Sequence, residues 1–81
     1  MEKRIAILGI IIEKEESVEE VNELLHHYRN SIVGRMGMPY RERQISVISI
    51  VMDASNDVVS ALSGKLGMLE GVSAKAVYSK K

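Results

Sequence analysis

Arg4-Ile5-Ala6-Ile7-Leu8-Gly9-Ile10-Ile11-Ile12, bounded downstream by the charged run Glu13-Lys14-Glu15-Glu16, decides how the rest of this sequence is read. The run is rich in β-branched residues and too short for a helix of ordinary length, so it predicts a strand. It is also far too short to span a bilayer, and no small-residue cleavage pattern follows it, so neither a signal peptide nor a membrane anchor is expected. In a strand, successive side chains face opposite ways. Ile5, Ile7 and Ile11 then share one face while Ala6, Leu8, Ile10 and Ile12 share the other. Both faces are apolar, whereas a strand with one wet face alternates.

Working outward, Ser17 followed by Glu20 has the spacing of a capping box and predicts a helix start. The apolar positions Val18, Val21, Leu24, Leu25 and Tyr28 recur at three and four, giving one buried helix face that fades near Arg29 and Asn30. Ser31 to Met38 and Gln44 to Asp53 read as two strands of a hairpin, joined by a turn over Pro39 to Arg43. Ala54 to Asp57 offers caps for a second helix carrying Val58, Val59, Leu62 and Leu66, with Gly67 as its stop. A last strand, Val72 to Tyr78, follows Gly71.

The order strand, helix, strand, strand, helix, strand predicts an α+β fold of one domain over residues 1–81: a ferredoxin-like βαββαβ sandwich. Two helices lie on one face of a four-stranded antiparallel sheet, and the first and third strands are central. The third strand repeats the pattern of the first, with Ile45, Val47 and Val51 opposing Ile48, Ile50 and Met52. Two helices cover one face only, and the other would be a contiguous apolar patch. A homo-oligomer, dimer or tetramer, is therefore expected.

The composition narrows the function. At 81 residues the chain is small for a self-sufficient core. It is 46% hydrophobic and 27% charged, which excludes disorder. Eleven basic residues balance eleven acidic ones, so no overall field draws it to nucleic acid or to a membrane. Three tyrosines, with no Trp or Phe, leave few rings for base stacking. Without cysteine there is no disulfide, thiol nucleophile, iron-sulfur ligation or thiolate zinc site, in keeping with a cytoplasmic protein.

Few residues look chemical. His26 and His27 fall on flanks of the first helix about 100° apart, so the pair cannot chelate one ion as an i, i+4 pair does. Glu23 lies four residues before His27, yet a divalent metal would still need ligands from a second subunit. Otherwise the histidines are solvated or interfacial, with acid-base work as a third reading. Arg35, Arg41 and Arg43 gather in the hairpin with Gly34, Gly37 and Pro39, a set suited to an anionic ligand or a partner. The alternative is a charged tip that blocks edge pairing, with Glu42 among the arginines. Ser63-Gly64-Lys65-Leu66 fails as a phosphate loop, since the earlier glycine is missing, Leu66 replaces the metal-binding hydroxyl, and the segment lies inside a helix. No acid, base or nucleophile occurs in a recognisable spacing, and no catalytic activity is expected.

Three stretches, VNELLHHY (21–28), RMGMPYRE (35–42) and ALSGKLGMLEGVSAK (61–75), resemble the iron-only hydrogenase system regulator family over nearly the whole chain. The resemblance implies an ACT-like, ferredoxin-like regulator, structurally near the C-terminal domain of nickel-responsive repressors. With no cysteine and two histidines, it carries over neither a nickel site nor direct nucleic-acid binding, and regulation is expected to run through another protein. The function expected is thus a non-catalytic regulatory module that senses a small ligand or partner at a subunit boundary, Arg35, Gly37, Arg41 and Arg43 being candidate contacts. A metal sensor built on His26 and His27 of several subunits is the alternative, and a small enzyme with an interfacial site is the third reading.

Overall fold

The computed structural model describes residues 2–80 and has the expected order of elements. Strand β1 spans Lys3–Ile12, helix α1 Val18–His27, β2 Ile32–Tyr40, β3 Ile45–Ser55, α2 Asn56–Gly67 and β4 Val72–Tyr78. The sheet order is β2-β3-β1-β4, with β1 antiparallel to both β3 and β4 and β2 antiparallel to β3. This is the ferredoxin-like arrangement, with the first and third strands central.

Parity sorts the central strands as the sequence predicts. Ala6, Leu8, Ile10 and Ile12 of β1 are buried, as are Ile48, Ile50, Met52 and Ala54 of β3. They pack against Val21 and Leu25 of α1 and against Val59, Leu62 and Leu66 of α2 in one core cluster. Each such large side chain contributes about 1.5–3 kcal/mol by leaving water. Val18, Leu24 and Tyr28 complete the apolar face of α1 as partly buried neighbours.

Three local expectations are corrected. Ser17 and Glu20 form no capping box: Ser17 closes a short 3-10 turn, Glu15–Ser17, and its backbone (φ −87°, ψ −8°) is already helical rather than extended as a capping residue requires. Its hydroxyl instead donates to the Glu70 carbonyl oxygen at 2.7 Å. Gly67 is the last residue of α2, not the stop beyond it; the left-handed glycine is Gly71, φ +72°, just before β4. Pro39 lies in β2, because an edge strand has one side on which no ladder donor is needed. The turn comes later, at Arg41–Arg43, and is closed by Gln44 in the left-handed region at φ 57°. The cap of α2 is resolved to Ser55, whose side-chain oxygen accepts from the Val58 N–H at 3.3 Å.

Candidate functional site

Two surfaces stand out once the side chains are placed. The larger is the face of the sheet away from the helices. Ile5, Ile7 and Ile11 are 45%, 47% and 44% exposed there, although they alternate along β1 with Leu8 and Ile10, which are fully buried. The strand register extends this face across the sheet in rows. One row is Gly34, Val51, Ile7 and Val77; the next is Met36, Ser49, Gly9 and Lys75; the third is Met38, Val47, Ile11 and Ser73. Met36, Met38 and Val77 are among the most exposed large apolar residues of the chain. The patch follows directly from sequence parity, because the helices occupy only the other side.

The smaller surface is an open cleft of about 610 Å³ at the end of the sheet where α1 begins. It is bounded by the β1–α1 connection, Ile12 to Glu16, by Val18, and by the end of the hairpin with Pro39, Tyr40, Arg41, Gln44, Ile45 and Ser46. Its mouth is chemically mixed: an arginine and a tyrosine from the hairpin face the acidic connection. The connection is held from behind. Ser17 bonds to Glu70, the Glu13 N–H donates to the Gly71 carbonyl at 2.7 Å, and Lys14 lies 3.6 Å from the Glu70 carboxylate. The pair of exposed charges contributes little by itself. The backbone bond and the hydroxyl bond, whose serine is only 4% exposed, fix the wall.

Tyr40 and Ile45 belong to both surfaces. They are paired across β2 and β3, in line with Met38 and Val47 on the bare face, and they also line the cleft. Sequence reading missed the cleft because it placed Tyr40 in the turn and Gln44 in a strand. The one available signal was the polar interruption Arg41 to Gln44 between two apolar runs.

The arginines do not gather. Arg35 pairs with Ile50 on the helix-bearing face, and its guanidinium donates to the Asn22 side-chain oxygen of α1 at 2.6 Å. Arg41 lies six residues further along extended chain, about 20 Å away, in the turn with Arg43. Only Arg41 of the three lines the cleft. Gly37 pairs with Ile48 and is exposed; a Cβ there would meet nothing nearer than 3.9 Å. The histidines are exposed at the end of α1, and the His26 carbonyl accepts from Arg29 at 2.9 Å. His27 borders a shallow groove with Glu23 and Lys65, while His26 and His27 share another with Glu19 and Asn22. Among the described residues no three His, Asp or Glu side chains come close enough to hold a metal ion. The Lys65 ammonium donates to the Tyr28 hydroxyl at 3.1 Å and lies 5.4 Å from the ring centroid. No helix among the described residues is long and apolar enough to cross a membrane.

No curated protein is similar enough to this chain to count as a match. A solved structure, that of the uncharacterized protein TM1266 from Thermotoga maritima, is 44% identical, with a TM-score of 0.93 over 98% of this chain and 100% of that one. Residues 4–76 match the family model described as "TM1266-like: Iron-only hydrogenase system regulator, putative". With that match running from the first strand to the last, the chain belongs to the TM1266-like family.

Proposed function

We propose that this chain is a non-catalytic, cytoplasmic regulatory module of the iron-only hydrogenase system, working as a homo-oligomer that senses a small ligand or partner at its subunit boundary. The observation that carries the reading is the bare apolar face, with Ile5, Ile7, Ile11, Val47, Met36 and Met38 all open to water. A soluble monomer rarely leaves such a patch uncovered. The family supports a regulatory role.

The cleft supports the sensing part. A small ligand held near Arg41 and Tyr40 touches the margin of the same face through Tyr40 and Ile45. Such a ligand shifts assembly only by binding the assembled and separate forms with unequal affinity, and Tyr40 and Ile45 are where that inequality arises. Regulation then passes to another protein through the assembled state.

Native mass spectrometry of protein purified without added metal tests this. The expected result is one oligomer that persists when divalent ions are chelated, with dimer and tetramer both compatible. A monodisperse monomer at micromolar concentration overturns the proposal. Assembly that appears only with a divalent metal, and is lost in the His26→Ala/His27→Ala double variant, replaces it with a metal sensor.

A further inference from the structure

The bare face has a relief that apolar character alone does not require. Its middle row is low over the two central strands, where Ser49 and Gly9 lie side by side. Aliphatic pairs flank that low point, Val51 with Ile7 on one side and Val47 with Ile11 on the other. Neither the backbone nor the packing of the described residues requires glycine at position 9. Its φ is not positive, and a Cβ added there meets nothing nearer than the Lys75 carbonyl oxygen at 3.9 Å, an ordinary contact. Mid-strand glycine weakens a strand, and it often marks the close approach of another body.

We propose that a second copy of this chain fills the space over Gly9: two bare faces pack together, with Val47 and Ile11 of each copy lying over Ser49 and Gly9 of the other. The inference rests on the self-association proposed above and assigns it a surface and a register. Size favours it. The whole bare face, four strands wide and roughly 30 Å long, spans roughly 600 Å² in projection, the same order as the roughly 800 Å² that one partner gives to a stable interface.

Charge and shape choose the register. If the middle rows were superposed, Gly9 would face Gly9 across a void and Lys75 would face Lys75, which is repulsive. A shift of one row toward Val47 and Ile11 puts aliphatic side chains over the small residues and Lys75 over Ser73. The opposite shift puts Lys75 over Val77. The favoured exchange is reciprocal, as a two-fold axis demands.

The sheet edges favour the face as well. The edge strand β2 carries Pro39 and a register break in its pairing with β3, between Ile32 and Gly34, while Lys75 sits at the middle of the other edge strand, β4. These features discourage edge-to-edge pairing. The chain has no net charge, so two copies meet without overall repulsion.

Sedimentation velocity over a concentration series, with circular dichroism to confirm folding, tests the inference on wild type, Ile11→Lys and Gly9→Val. Wild type is expected to self-associate and Ile11→Lys to sediment as a folded monomer. Gly9→Val is expected to keep its fold, because the chain has room for the side chain, yet to associate roughly tenfold more weakly or worse. A monomeric wild type overturns both the self-association and this inference. If Ile11→Lys is monomeric while Gly9→Val associates like wild type, the face stands as an interface but the proposed register is overturned. If both variants associate like wild type, the copies meet elsewhere and the inference is overturned while self-association survives.

Discussion

The two faces of this sheet are built from nearly the same residues and meet opposite surroundings. On β1, Leu8 and Ile10 are fully buried beneath the helices, whereas Ile7 and Ile11, one position away, are nearly half exposed. On β3, Ile50 and Met52 are fully buried while Val47 lies open. Hydrophobicity along the strands therefore calls for two covering layers, and the described chain supplies one. On the self-association proposed above, the difference separates stability held within one copy from stability that would depend on concentration.

Mutations that break this comparison begin on the covered side. Ile10→Ala removes a fully buried side chain from the core and is expected to cost about 2–5 kcal/mol. For a domain of this size that lowers Tm by roughly 10 °C or more, independent of protein concentration, as scanning calorimetry would record.

The next largest effect concerns the connection that holds the helical layer in place. Gly71→Ala puts a side chain at φ +72° and drives its Cβ into the Lys14 side chain. The left-handed conformation alone costs about 1–2 kcal/mol, and displacing Lys14 adds to it. Urea titration should show the midpoint falling while the slope stays constant.

Ile7→Ala on the bare face sharpens the contrast. In dilute protein it is expected to cost less than about 1 kcal/mol, the span of strand propensity. As concentration rises, the gap between wild type and variant should widen, because association stabilises only the form that associates. A Tm difference that stays constant over a hundredfold concentration range would remove the distinction between the faces.

How far the sequence carried depended on the range of the forces involved. Strand parity in Arg4 to Ile12 and in Gln44 to Asp53 reports burial directly, so the sheet, its central strands and both faces were legible. The Ser55 region was legible too, because a cap is a contact three residues long. The role of Ser17 was not, since its hydroxyl bonds 53 residues away to Glu70, and a local pattern of Ser and Glu resembles a cap whether or not one forms. The hairpin turn was placed two residues early because Pro39 usually marks a turn, while the actual left-handed residue, Gln44, carries no glycine or asparagine signal. The arginine cluster failed for a geometric reason: closeness in sequence is separation in space once the segment is extended. The cleft depends on where β1 leads into α1 beside the hairpin end, a meeting that only the folded sheet defines.

The position of β1 between β3 and β4 also governs how the chain reaches this fold. Residues 3–12 leave the ribosome before either of their partner strands, and the pairing of Lys3 with Ser55 and of Ala6 with Tyr78 joins distant parts of the chain. Contacts of such long sequence separation form slowly. Until residues 45–55 emerge, this aliphatic segment has no strand to pair with and is exposed to aggregation. This highly apolar strand is thus made before β3 and β4 and completes its pairing only with the later of them.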